Sequence, residues 1–464
     1  MKKIRIFSAL IALLGLSSCG EDFFNLTPNY EVAVDDIYKT ASDFDIAVLG
    51  CYAKFQTQVN YYTELSEYRS DNLYLDAPTA GTQDRYDIDQ FRDNASNGIL
   101  EDAWANFDNA VYRCNMVLDR IDGADFDETL KAQYKGEAMF LRAYTYFMKY
   151  RLWGCVPTTR KVVTVEEALR IGRSSEEEMF DLIAGDLQQI VDNAMLPESY
   201  DEANAGRATL GAARALLGKV YLTFKKPQEA VNVLKEVIGK YALLENVADV
   251  FDVNNKMNGE IIFAVRFNKS VVDEGHGAWF SISNLTDNSG QSPVLKALYS
   301  DDDARKALIE YQKVPDVQLY LMKKFFDTRD ATTLQYGNDQ ILLRYADVLL
   351  LYAEALNEVG YDGSSASPAL EALNAVHTRA GLDPLNITDL PDQDAFRRAV
   401  CLERQKEFPY EGQRWFDLVR MGYAKEAMAA EGHAIQDYQM LYPIPNTELE
   451  RINDTSLLWQ NPGY

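Results

Sequence analysis

The sequence predicts a mainly α protein in which paired helices form a repeat scaffold carrying a loop-rich face. Three observations predict it: a helical hydrophobic period, two helix pairs built on one motif, and two long aromatic, turn-rich stretches that interrupt them. From Phe44, apolar residues recur at Val48, Cys51/Tyr52, Phe55 and Val59, one face of a helix. Glu101 to Ile121 and Glu128 to Leu152 follow the same period; the second carries Leu130, Tyr134, Leu141, Tyr144 and Phe147/Met148 on its apolar side. Ser175-x-x-Glu178 is a capping box, in which each side chain satisfies the other's backbone N–H, and it opens a helix through Phe180, Ile183, Leu187 and Val191.

The repeat is sharpest between Arg207 and Ile238. Leu217-Gly218-x-x-Tyr221 and Ala230-x-x-x-Leu234 follow the pattern of a tetratricopeptide helix pair. Pro227 stands where the second helix starts, a position at which its missing N–H costs nothing. Small residues at Gly218 and Ala230 let the two helices approach closely. Ile341 to Arg379 repeats the theme: Val348, Tyr352 and Ala355 share a face, and Ala369-x-x-x-Leu373 returns after a turn with Gly360, Gly363 and Pro368. The scaffold is therefore tetratricopeptide-like. The interruptions are residues 60–97, with Pro78 and Gly81, and residues 242–338, with a β-like run Glu260 to Arg266 and a Gly-, Ser- and Asn-rich loop from His276 to Ser292. Long irregular stretches are functional or disordered, and their aromatic content argues against disorder.

The N-terminus reads as an export signal. Lys2, Lys3 and Arg5 precede an apolar run of 11 residues, Ile6 to Leu16. A bilayer needs about 20, so the run suits the apolar core of a signal peptide. Leu16-Ser17-Ser18-Cys19 matches a bacterial lipobox, with cleavage before Cys19 and acylation of that residue; several acyl chains make anchoring effectively permanent. The expected organisation is a lipoprotein signal peptide over 1–18, a lipidated tether over 19–41, an N-terminal region with helix pairs over 42–241 and a C-terminal region over 242–464, folded as one compact unit. The longest later apolar stretch, Ile341 to Leu356, carries Arg344, Asp347 and Glu354 and does not read as a membrane span.

With 46 basic and 71 acidic side chains, the net charge of −25 opposes binding to nucleic acid. Cys51, Cys114, Cys155 and Cys401 show no metal spacing, and Cys51 and Cys114 sit among apolar residues as buried thiols would. The three histidines, His276, His377 and His433, form no metal or catalytic motif. No cofactor is expected; no spacing marks a calcium site, although the sequence leaves a structural calcium open. Seventy-one acidic residues bring carboxylates together by chance, so such pairs do not argue for a glycosidase.

Four blocks carry a family resemblance. They are Glu137 to Phe147 with Arg151 to Pro157, Leu343 to Glu358, Glu403 to Arg420, and Leu441 to Pro445 with Gln460 to Tyr464. In order and spacing they resemble the SusD/RagB family of outer-membrane nutrient-binding lipoproteins of the Bacteroidetes type. Cys155, where a glycine is usual, and Pro409, which interrupts a stretch that is usually continuous helix, depart from the pattern. The resemblance implies a SusD-like fold with its ligand site on the loop-rich face, away from the repeats. It implies a lipid-anchored, non-enzymatic protein on the outer face of the cell outer membrane, which captures an oligosaccharide for a SusC-like TonB-dependent transporter. Peptide binding, as in RagB-like proteins, and a lipid-anchored glycosidase are the alternatives.

A sugar ring offers flat C–H faces to aromatic rings and hydroxyls to fixed polar groups. Two segments meet that need: one with Tyr61, Tyr62, Tyr68, Arg69, Asp71, Asn72, Tyr74 and Tyr86, the other with Trp279, Phe280, Asn284 and Asn288. Trp279, Tyr74, Asp71, Asn72, Tyr62 and Asn284 are the expected ligand contacts. Trp104, Trp153, Trp415 and Phe416 are assigned to the core. Arg344, Asp347, Glu354, Glu358, Glu407, Glu411, Arg414, Asp417 and Arg420 are assigned to charge pairs that hold helices together.

Overall fold

The computed structural model describes residues 37–78, 81–277, 289–315 and 320–464. The segment expected to be a signal peptide, Cys19 and nearly all of the expected tether lie outside them. Helix α1 (Ala41–Gln56) opens on a capping box between Thr40 and Asp43. Asn97 and Asp127 cap α2 (Gly98–Ile121) and α3 (Glu128–Trp153). The box at Ser175 and Glu178 forms as the sequence predicts and starts α4 (Glu176–Asp192). Then come α5 (Leu210–Thr223) and α6 (Pro227–Lys235), with Pro227 in the first turn. Each helix packs against the next, from α1 through α6, and α6 packs against α7 (Tyr345–Val359), which in turn holds α8 (Pro368–Arg379) and α9 (Gln393–Glu407). Helix α10 (Arg414–Met421) packs on α9. This chain of neighbour contacts is the repeat scaffold the motifs predict.

The glycine in the first motif shows why it is there. A Cβ at Gly218 would overlap the side chain of Leu234 on α6, whereas a Cβ at Gly185 in α4 would meet nothing. Gly218→Leu is expected to force α5 and α6 apart and to cost about 1–3 kcal/mol or more by overpacking. Gly185→Ala is expected to be neutral or stabilising, because it only removes backbone entropy. Urea midpoints of the two variants check both.

Three short antiparallel ribbons are inserted into the helical body: β1 (Leu73–Leu75) pairs with β3 (Ser289–Gln291), β2 (Ile261–Val265) with β6 (Gln340–Arg344), and β4 (Tyr311–Lys313) with β5 (Tyr320–Met322). The strand expected at 260–266 is β2. The helix expected from Ile341 starts at Tyr345 instead, because Gln340–Arg344 is strand β6 and all five of its residues are buried. A fully buried apolar run fits helix and strand alike, and here the partner strand decides. Residues 60–97 also differ from expectation. They hold two short helices, Val59–Tyr62 and Gln83–Asp89, a π-helix over Thr63–Glu67 and strand β1, and the stretch from Leu65 to Leu73 is buried. Its polar residues are paired inside the protein, Glu67 with Asn72, Arg69 with Asp93 and Asp71 with Arg414, so polarity there did not mean exposure.

One apolar cluster runs from Phe44 to Leu458 and includes Trp104, Trp153, Trp415 and Phe416. Through it passes a buried ionic lattice. Arg344, at the end of β6, donates to Glu411 (2.9 Å), Glu260 (2.9 Å) and Glu407 (2.6 Å). Arg379 on α8 bonds Glu260 and Glu407, Arg305 bonds Asp303, Glu403 and Glu407, and Lys324 reaches Glu411 (2.6 Å). A second group joins Lys219 to Asp347 (2.6 Å), Asp347 to Arg404 (2.8 Å), Arg404 to Asp417 (2.8 Å), and Arg420 to Asp417 and Glu354 (2.8 Å each). Burial opposes ionisation of Asp347, but Lys219 and Arg404 outweigh it and hold its carboxyl at about 2. The conspicuous charges of the sequence blocks are thus internal fasteners, some between helices and others, as at Arg344 and Glu411, between strand β6 and the turn from α9 to α10. Glu358 is the partly exposed member, paired with Arg397 at 2.5 Å.

Candidate binding site

Strand β1 brings the two nominated segments together. Leu73 and Leu75 point into the core, and the alternation of a strand turns Tyr74 outward, where it is half-buried. Tyr74 lies opposite Gly290 and Leu75 opposite Ser289 on β3. Residues 278–288, with Trp279, Phe280, Asn284 and Asn288, lie outside the described residues, but both flanks are placed. The C-terminal flank is β3, held on β1. The N-terminal flank is His276, which pairs with Tyr336 through N–H···O bonds of 3.0 and 2.9 Å. The His276 ring packs edge-on against Phe267 at 4.9 Å and stacks on Tyr336 at 6.1 Å.

Beneath β1 lies a set of pillars. The Arg414 guanidinium donates to both carboxylate oxygens of Asp71 (2.6 and 2.7 Å). Asn72 donates to Glu67 (2.7 Å), and its carbonyl receives the Ser292 N–H (2.9 Å) from just beyond β3. Glu67 also collects the N–H groups of Tyr410 (3.0 Å), Gly412 (2.9 Å) and Gln413 (3.2 Å). That turn needs a positive φ at Tyr410 and Gly412, and a Cβ at Gly412 would stand 2.9 Å from Tyr62 Cβ. Pro409 lies at this break between α9 and α10, so the interruption builds the cradle for Glu67. Tyr62 donates its hydroxyl to Gln58 (3.1 Å) and sets its ring edge-on to Tyr144.

The six expected contacts therefore divide. Tyr62, Asp71 and Asn72 are 2%, 3% and 1% exposed and spend their polar groups inside the protein. The expectation that they face a ligand is corrected: Asp71 and Asn72 brace the chain leading into β1, and Tyr62 packs against the Gly412 turn and Tyr144. The sequence hid this, because Asp71 and Asn72 lie in the turn that leads into β1, and only their partners Arg414 and Glu67 show that they point inward. Tyr74 alone among the described four reaches the surface. Trp279 and Asn284 fall in 278–288. Of the wider set, Tyr68 and Arg69 are also buried; the Arg69 guanidinium lies over the rings of Phe91 (4.5 Å) and Tyr442 (4.2 Å).

Two carboxyls that the sequence did not single out border the β1–β3 pair. Burial pushes Asp89 up to about 7, with Gln90 and the Leu75 backbone pulling down and Glu431 and Asp76 pushing further up. Glu431 is raised by burial too and accepts the Ser292 hydroxyl at 2.6 Å. Asp89 is only 4% exposed, so its raised carboxyl does not face a substrate. Tyr86, partly exposed on the helix carrying Asp89, lies under the Arg92 guanidinium at 4.9 Å.

His276 makes the anchor sensitive to acid. Burial drives its pKa down to about 3, against a hydrogen bond to the Asn338 backbone that pulls it up. A histidine with a depressed folded pKa gives stability that is complete above about 6.5 and lost as pH falls towards 3. The His276–Tyr336 anchor is expected to loosen across that window, and amide exchange at Gly275–Gly277 should rise there. An exchange rate flat from pH 7 to 4, after correction for intrinsic chemistry, would count against it.

The described residues also form clefts away from β1. One of 660 Å³ is lined by Tyr52 and Gln56 of α1, Arg207 and Phe263, but its polar groups are already engaged: Arg207 with Asp45 and Glu137, Gln56 with the Arg266 carbonyl. Among the described residues no group of three or more His, Cys, Asp or Glu side chains is placed to hold a metal ion, and no helix is long and apolar enough to cross a membrane.

A helical-repeat body with short ribbons, one of which turns Tyr74 outward, is the architecture expected of a SusD-like scaffold. Comparison with known proteins agrees. The model of the SusD family matches residues 315–464, and that described as "Starch-binding associating with outer membrane" matches residues 31–222. The chain belongs to the SusD family. It is similar to SusD-like protein P2 of Formosa agariphila, 27% identical over the whole of both chains. Among solved structures it resembles surface glycan-binding protein A from Bacteroides fluxus, 26% identical with a TM-score of 0.75 over 92% of this chain and all of that one. A laminarin binding SusD-like protein, 24% identical, shares the fold at a TM-score of 0.75, again over 92% of this chain and all of that one.

Proposed function

We propose that this protein captures an oligosaccharide at the cell surface and passes it to a SusC-like TonB-dependent transporter, held to the outer membrane by acyl chains on Cys19. The observation that carries the reading is the β1–β3 pairing. It sets Tyr74, outward and rigidly supported, next to the end of the segment that holds Trp279 and Asn284. A sugar would stack its C–H face on Tyr74 and Trp279 and give its hydroxyls to Asn284. Resemblance to a surface glycan-binding protein supports the ligand class. Delivery needs only that lid and barrel together bind the sugar more tightly than either does alone, since a ligand shifts a conformational equilibrium only by its differential affinity.

The test is affinity electrophoresis of the detergent-solubilised chain against plant, host and microbial glycans and a peptide mixture. Retention by one glycan class without release of reducing ends is the expected result. Retention by peptides alone would move the protein to the RagB-like reading, and new reducing ends would make it a glycosidase.

A further inference from the structure

Trp459 has no part in the site above. The core tryptophans Trp104, Trp153 and Trp415 are 2%, 0% and 1% exposed, whereas Trp459 is 47% exposed. It lies outside helix and strand, five residues from the C-terminus. Its backbone and one face of its ring are both in contact with Arg173. The Arg173 guanidinium lies against its ring, 5.0 Å from the centroid. The same guanidinium donates to the Trp459 carbonyl (3.0 Å), to Asn461 (2.9 Å) and to the Cys155 carbonyl (2.7 Å). Asn461 in turn donates to the carbonyls of Trp153 (3.1 Å) and Tyr442 (2.7 Å). The backbone on either side of Trp459 is thus anchored and one face of the ring is backed by Arg173, which lowers the entropy cost of using the other face as a binding surface.

Arg173 also leads into a cleft of 580 Å³, lined by Thr158, Arg160, Ser174, Glu178 and Asp181. One wall is the Pro157–Arg173 bridge and the other the first turns of α4. Arg160, Glu178 and Asp181 are exposed; Arg160 lies 3.6 Å from Asp186 and one Glu178 oxygen caps α4 at Ser175, while Thr158 and Ser174 share a hydroxyl–hydroxyl bond of 2.7 Å, which leaves Asp181 and the exposed edges of the others towards solvent. Guanidinium, carboxylate and hydroxyl groups of both signs, joined to a flat apolar ring through Arg173, match a neutral polyol. They do not match a lipid, which wants a wider apolar surface, or a phosphate, which the two carboxylates would repel.

We propose that Trp459 and the Arg173 cleft form a second carbohydrate-binding surface, on which a pyranose unit of a long polysaccharide stacks while its hydroxyls bond the cleft. The proposal rests on the glycan-binding reading. Its use is avidity: a chain held at two places rebinds at one before it leaves the other, so the second surface matters for polysaccharide and not for a short oligosaccharide.

The experiment compares the detergent-solubilised full chain with its Trp459→Ala and Trp459→Phe variants. The probes are laminarin, xylan and amylopectin, each also as its hexasaccharide. For the glycan the unaltered chain retains, Trp459→Ala is expected to weaken polysaccharide binding about tenfold, to leave hexasaccharide binding within twofold, and to unfold at the same urea concentration. Trp459→Phe, which keeps a flat ring, should restore most of the loss. Polysaccharide binding by Trp459→Ala within twofold of the unaltered chain would overturn the proposal while leaving the main site intact. An unaltered chain that binds none of the six probes would overturn both, and the variants are not needed to see it.

Discussion

Arg344→Met is expected to destabilise the protein by about 3–5 kcal/mol or more, the cost of breaking a buried ion pair from one side. The side chain is 1% exposed and faces Glu260, Glu407 and Glu411, each 3% exposed or less. Methionine fills part of the volume, so the loss is electrostatic: three carboxylates stay in the interior with only Arg379, Arg305 and Lys324 to balance them. Domains are stable by only about 5–15 kcal/mol, so the variant should accumulate poorly or unfold at a much lower urea midpoint. The exposed pair Arg170–Glu166, with side chains 74% and 77% accessible, is the contrast. Arg170→Met should leave the midpoint unchanged, because a solvated pair in water gains almost nothing. Equal midpoints for Arg344→Met and the unaltered chain would show that the lattice does not hold β6 to α9.

Tyr74→Ala is expected to remove most oligosaccharide binding, tenfold or more, without a change in stability beyond about 1 kcal/mol. The ring is half in solvent, while β1 itself is held by its neighbours Leu73 and Leu75, by the Asn72 carbonyl bond to Ser292 and by the Asp71–Arg414 pair. Asp71→Ala should do the reverse in sequence of effects: it leaves Arg414 buried and unpaired, so stability falls first and binding only as a consequence. Calorimetry beside a denaturation curve separates the two. A Tyr74→Ala variant that binds as tightly as the unaltered chain would move the site away from β1.

The scaffold was legible because its signals are local. Capping boxes, Pro227, and the Gly218 and Ala230 spacing each act within a few residues, and the charges of Leu343 to Arg420 could be assigned to helix pairing from their spacing alone. The site was legible only as two segments. Whether Asp71 faces a ligand or Arg414 depends on a partner 343 residues away, and no period in the sequence carries that distance. The same holds at Ile341, where a strand partner from β2 overrode a helical reading.

The most direct test of the central claim is a double-mutant cycle on the glycan that the protein retains, with Tyr74→Ala, Trp279→Ala and the pair measured by calorimetry. If both rings grip one sugar chain at one site, each single change weakens binding about tenfold or more and the two are coupled by about 0.5–3 kcal/mol. If the losses add without coupling, or Trp279→Ala binds like the unaltered chain, then β1 and the 278–288 segment do not build a common site, and the glycan is held elsewhere on the protein.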